Sequence, residues 1–191
     1  MAISFKKGHY GSMRVFAGIG LPGEVSDHLA RALEMVRPPG RVRNPWIPQS
    51  NWHITLAFYG NQPDGILEEL IRNLRAAAIR TQPFEIDLNG AGVFHKDVCW
   101  IGTTDPSESL GPLAEKVRGD YAIMNQHAKN RFHVTISRSG RKADLTAAMA
   151  ALSVYRGPEW LVDHITLYES SLGEGAGGHS LYTSLAEVPL G

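Results

Sequence analysis

The chain has a single cysteine, Cys99, no net charge, and no apolar run long enough to span a bilayer. One thiol cannot form an internal disulfide, which points to a reducing compartment. Within Val98-Cys99-Trp100-Ile101 it reads as a core residue, not a nucleophile. Nineteen basic and nineteen acidic side chains cancel. That excludes a protein that coats long nucleic acid by bulk charge, but not one that grips a single phosphate or an RNA end through local clusters. The apolar stretch Val15–Leu21 follows Lys6 and Lys7, yet Gly18 and Gly20 break it and Pro22 ends it, too soon for a signal peptide or a membrane span. A cytoplasmic protein is expected. Metal-binding motifs are missing as well: there is no H-x-H, HExxH or Cys/His cluster. Gly18-Ile19-Gly20 lacks the third glycine of a dinucleotide loop, and no Walker-type lysine occurs. No metal or nucleotide cofactor is expected.

What is present is a chain of 191 residues, 43% hydrophobic and 20% charged, the composition of a globular protein with a sizeable core. Residues 1–12 read as an extension outside the fold, and 13–191 as one bilobal domain. Strand patterns occupy Met13–Leu21, Asn51–Gly60, Phe84–Leu88, Val98–Gly102, Arg131–Ser137, Trp160–Glu169 and Ser180–Val188. Helical periodicity marks Glu24–Val36, Pro63–Arg80, Glu108–Met124 and Ala143–Leu152.

Two segments repeat one order. NWHITLAFYG is followed by a turn, a helix and a strand after Pro83; RFHVTISRSG is followed by a turn, a helix and a strand after Pro158. The duplication predicts an α+β (α/β) fold of two pseudo-symmetric lobes. Each lobe is a small, largely antiparallel sheet with helices outside, and a ligand cleft lies between them.

On a strand, residues i and i+2 share a face. His53 and Thr55 therefore point one way, and Ile54, Leu56 and Phe58 the other. His133 and Thr135 likewise oppose Phe132, Val134 and Ile136. The triplet alone is weak, since eight histidines should yield about one such match by chance. Three occur, the third being His164-Ile165-Thr166. His164 has no counterpart in the repeat and is assigned a structural or peripheral place. Paired imidazoles facing one scissile bond can divide general acid and general base work, while threonine hydroxyls hold phosphate oxygens. Basic residues flank both strands: Arg37, Arg41 and Arg43 before the first, and Lys129, Arg131, Arg138, Arg141 and Lys142 around the second. Arg138 is singled out as a phosphate fork. Strict alternation turns it away from His133, so it reaches the site only if the strand ends or bulges near Ser137.

These motifs, with MRVFAGIGLP, PFEIDLNGAGVF, CWIG, ITLYESSL and YTSLAEVPL, resemble the two-histidine (2H) phosphoesterases, and within them the bacterial RNA 2′,3′-cyclic phosphodiesterases, historically called 2′-5′ RNA ligases. The resemblance runs from Met13 nearly to the C-terminus. It implies His53 and His133 as the catalytic pair, and Thr55, Thr135 and Arg138 as phosphate ligands. It also implies no cofactor, RNA ends carrying 2′,3′-cyclic phosphate as substrate, and a product bearing a 2′-phosphate. His53 is assigned as proton donor and His133 as proton acceptor, with the reverse assignment open. A weak reverse ligase activity and a monomeric state are further expectations. Phe16, Phe58 and Tyr59 lie near the expected cleft, with core packing the favoured use of Phe16 and Phe58. No role is assigned to His95. The alternatives are a 2H phosphoesterase for small molecules, such as ADP-ribose 1″,2″-cyclic phosphate or 2′,5′-oligonucleotides, and a non-catalytic RNA-end binder.

Overall fold

The computed structural model describes residues 11–38, 45–95, 97–123, 131–138 and 144–191. The segment 1–10 and residues Arg41, Arg43, Lys129, Arg141 and Lys142 lie outside the described residues. Among the described residues, eight strands form one antiparallel sheet: β1 (Ser12–Gly20), β2 (His53–Pro63), β3 (Phe84–Phe94), β4 (Val98–Thr104), β5 (His133–Ser137), β6 (Trp160–Val162), β7 (His164–Ser171) and β8 (Leu181–Pro189). Their order is β6-β3-β4-β5-β2-β1-β7-β8. The two histidine strands, β2 and β5, are thus neighbours at the centre. Among the described residues, only Ile54 and Val134 pair directly across that seam, so the sheet is two four-stranded halves joined at one point.

The halves do not correspond to the sequence repeats. β3 follows the first histidine strand in the chain but pairs with β4 and β6 in the other half. β7 follows the second histidine strand but pairs with β1 and β8. The expected single strand Trp160–Glu169 is two, broken at Asp163, where the chain leaves one half for the other. The Asp163 carbonyl accepts the Leu190 N–H at 2.8 Å, which holds the crossing in place.

The described residues also form four α-helices: α1 (Gly23–Met35), α2 (Leu67–Ala78), α3 (Leu110–Arg118) and α4 (Thr146–Leu152). In α1 the buried Val25, Leu29, Ala32 and Leu33 recur at helical spacing, and α2 buries Leu70 and Leu74 in the same way. One core cluster takes in these residues with Ile54 and Leu56 of β2, Ile101 of β4, Leu113 and Val117 of α3, and Val134 and Ile136 of β5. A leucine buried to the extent of Leu113 contributes about 1.5–3 kcal/mol. Three helices are shorter than their periodicity suggests, α4 beginning at Thr146, and two show the cause plainly. α3 stops at Gly119, whose φ of 47° ends the helix as only glycine readily allows. α2 starts late because β2 runs on to Pro63, pairing with Ser12, and a 3₁₀ turn over Asp64–Ile66 intervenes. Among the described residues, no helix is long and apolar enough to cross a membrane.

Candidate active site

The apolar backs of β2 and β5 face the helices, so their polar faces are left for a cavity. Ile54, Leu56, Val134 and Ile136 are essentially fully buried, while His53, Thr55, His133 and Thr135 are half-buried. All four of these polar residues line one cavity of about 510 Å³, together with Arg14, Phe16, Phe58, Arg138, Tyr182 and neighbours on β7 and β8. Among the described residues no carboxylate lines it. An anion is the ligand such a wall favours.

Arg138 reaches the cavity because β5 ends at Ser137, with a register shift opposite Cys99 and Trp100, so strand alternation no longer dictates its direction. Ser137 is pinned there by donating from Oγ to the Pro45 carbonyl at 2.7 Å. The predicted facing of Phe58 needs correction. β2 carries extra residues relative to β1, with register shifts between Ala17 and Gly18 and between Val15 and Phe16. The first bulge reverses the facing after Thr55, bringing Phe58 to the cavity. Tyr59 turns into the core, where its hydroxyl donates to the Val117 carbonyl at 2.7 Å. Phe16 also belongs to the site face, not to the core cluster.

Each histidine is held identically. His53 Nδ1 lies 2.8 Å from the Asn51 carbonyl, and His133 Nδ1 lies 2.7 Å from the Arg131 carbonyl. A carbonyl only accepts, so Nδ1 carries the proton in both rings and Nε2 is the free, basic nitrogen of the neutral imidazole. The Asn51 carbonyl is itself anchored, since Asn51 Nδ2 donates to the Ser180 carbonyl at 2.7 Å. Aromatic rings close off each imidazole. Phe16 lies 4.6 Å from His53 between centroids, and Tyr182 meets it edge-on at 5.2 Å. Phe94 meets His133 edge-on at 5.0 Å, with Trp100 at 6.1 Å.

This enclosure sets the protonation states. Burial pushes His53 down to about 4, against the bond to Asn51, and the charges of Arg138 and His133 add to the lowering. Burial also lowers His133, with Arg138 and Arg131 acting in the same direction. Both imidazoles are therefore neutral at pH 7 in the free protein. Arg138 bears on both, as expected of a cation on the same cavity wall.

Gly18 lies opposite Thr55, and a Cβ there would come within 2.8 Å of the Ile54 carbonyl oxygen and 3.6 Å of His53 Cδ2. Gly18 is thus a close strand contact. His164 opens β7, exposed, with Nδ1 2.6 Å from Asp163 Oδ1, and it is not part of the cavity wall. His95 occupies the β3–β4 turn with a φ of 50°. Arg37 is bonded to Glu34 on the exposed side of α1. Among the described residues, no group of three or more His, Cys, Asp or Glu is placed to hold a metal.

Residues 25–174 match the family model described as the 2′-5′ RNA ligase superfamily. The chain belongs to that superfamily. Curated relatives include proteins named RNA 2′,3′-cyclic phosphodiesterase from Aquifex aeolicus (28% identical, covering 88% of this chain and 90% of that protein) and Thermus thermophilus (30% identical, covering 84% and 83%). Among solved structures, Escherichia coli LigT with 3′-AMP is similar at a TM-score of 0.75 and 25% identity, covering 94% of this chain and 99% of that one. Membership accounts for the antiparallel sheet with four helices, since the apo form of LigT superposes over the same 94% at a TM-score of 0.74.

Proposed function

We propose that this superfamily member is an RNA 2′,3′-cyclic phosphodiesterase, opening cyclic phosphate ends to 2′-phosphomonoesters. The observation that carries the reading is the pair of imidazoles with Nδ1 fixed to backbone and Nε2 free, in a cavity that holds Arg138 and two threonines and, among the described residues, no acid. Water attacks phosphorus as His133 Nε2 takes its proton. The bond from phosphorus to O3′ breaks, and His53, protonated on Nε2, gives its proton to the departing oxygen. Arg138 and the Thr55 and Thr135 hydroxyls hold the non-bridging oxygens as their charge grows. The substrate's own negative charge offsets the lowering of His53 and supplies the acid form that the free protein lacks. Turnover ends with one proton moved from His53 to His133, and exchange with solvent restores the pair.

The substrate is an RNA 3′ end, tRNA-like fragments included, handled by a cytoplasmic monomer in which 13–191 act as one bilobal unit. The 2′-phosphate product follows from O3′ as leaving group. A short RNA ending in 2′,3′-cyclic phosphate, incubated with EDTA, should give only the 2′-phosphate. A 3′-phosphate product or no opening would sink the reading, and loss of turnover on chelation would sink the metal-free mechanism. The two histidine roles separate on a substrate with sulfur replacing O3′, whose thiolate leaves without an acid: activity should return to His53→Ala but not to His133→Ala.

A further inference from the structure

A second cavity, of about 380 Å³, plays no part in the chemistry above; Asn89, Trp100, Thr103, Asp105 and Arg131 are among its walls. Trp100 links the two, since its indole lies 6.1 Å from the His133 ring. Arg131 holds its guanidinium 5.1 Å above the same indole. No carboxylate lies within ion-pair distance of Arg131 among the described residues. Trp100 Nε1 is buried and has no acceptor. The remaining polar groups are largely committed. Asp105 caps α3 by accepting the Leu110 N–H at 2.7 Å, and Thr103 Oγ1 donates to the Phe132 carbonyl at 3.2 Å. Asn89 gives one amide proton to Thr104 Oγ1 at 3.0 Å and keeps its carbonyl oxygen for another partner.

A guanidinium set over an indole, with no carboxylate at ion-pair distance among the described residues and beside an unfilled donor and an amide acceptor, suits a nucleotide. We propose that this Arg131–Trp100 shelf is a second nucleotide subsite, which takes the RNA nucleotide adjoining the cyclic end. Arg131 binds the phosphodiester with its N–H edge and offers its open face to the base, whose edge meets Asn89. The proposal rests on the phosphodiesterase reading and adds a substrate class: oligonucleotide ends over mononucleotides. The Arg131 backbone carbonyl also orients His133, so a chain docked on the shelf is in register with the reacting phosphate.

The experiment compares kcat/KM for adenosine 2′,3′-cyclic phosphate with that for the dinucleotide ApA ending in 2′,3′-cyclic phosphate, across a range of salt. The wild-type protein should favour the dinucleotide by roughly tenfold or more, the scale of one stacked base. Its log–log salt slope should be steeper for the dinucleotide by about 0.7, reflecting one further phosphate. Arg131→Gln keeps the backbone carbonyl and should bring both differences to zero. Equal use of the two substrates by the wild type would overturn the shelf. So would a preference that survives Arg131→Gln, or a variant that slows both substrates by one factor, since Arg131 would then act only through His133. Failure to open either substrate would overturn the proposed activity itself, and the shelf with it.

Discussion

A protonated His53 is a costly species in the free protein, and the size of that cost can be read in two independent ways. Its pKa falls from the ordinary 6.5 to about 4 because Phe16 and Tyr182 exclude water, while Arg138 adds a like charge. The folded protein therefore binds fewer protons than the unfolded chain between these two values. Stability is full above pH 6.5 and falls as pH drops toward 4, by on the order of 3 kcal/mol at 1.36 kcal/mol per pH unit. His133, also lowered, adds in the same direction. A phosphate monoester in the cavity should reverse the effect. If it restores 6.5, its affinity for the protonated form exceeds that for the neutral form by the same on-the-order-of 3 kcal/mol, roughly 300-fold. Proton and nitrogen NMR of the imidazoles, with His53→Gln for assignment, measures both quantities and also reads which ring nitrogen is protonated. A His53 that titrates near 6.5 in the free protein would refute the desolvation argument. A neutral ring protonated on Nε2 would refute the backbone-locked geometry. Denaturant unfolding gives the second check: between pH 6.5 and 4 the wild type should lose more stability than His53→Gln.

Three further outcomes follow from the site. His53→Ala and His133→Ala should each lower kcat by roughly 10²–10⁴, whereas His164→Ala should leave it unchanged; steady-state rates on a cyclic-phosphate RNA decide this. Thr135→Val, nearly the same shape without the hydroxyl, should lower kcat on the order of 10² with an unaltered melting temperature. Gly18→Ala should lose both stability and activity, because its Cβ meets the Ile54 carbonyl at 2.8 Å and can be relieved only by parting β1 from β2 beneath His53. Activity at the wild-type level would show that the two strands yield there.

The reach of the sequence is clearest on β2. Alternation set His53 and Thr55 on one face and Ile54 and Leu56 on the other, and it holds through Leu56, the extra residue of the first bulge. It placed Phe58 wrongly because a bulge depends on how β1 pairs with β2, and no local pattern in NWHITLAFYG records that register. The crossing at Asp163 was hidden for the same reason: Trp160–Glu169 is continuous in strand propensity and divided only by its partners. The end of α3, by contrast, had a local sign in Gly119 that periodicity alone overrode. The aromatic walls around the imidazoles were the largest omission. Phe94, Trp100, Tyr168 and Tyr182 come from four strands, and the sheet order β3-β4-β5-β2-β1-β7-β8 gathers them.

That sheet order also explains why a site can be built on so slight a seam. One direct pair, Ile54 with Val134, would be a poor hinge pin if each repeat formed its own half of the sheet, for the halves could rock apart and change the spacing of the imidazoles. Interleaving removes that freedom. The chain crosses the seam between β2 and β3 and again at Asp163 between β6 and β7, so opening it would stretch connections whose ends are fixed in different halves by the β3–β4 and β1–β7 pairings. The segment before β2 adds a further tie across the seam, through Ile47 donating to the Ile136 carbonyl at 2.8 Å. Two histidines on adjacent strands, each fixed by its own backbone bond, are then held ready before substrate arrives, which is the condition for a proton to be passed through a bound phosphate without further reorganisation.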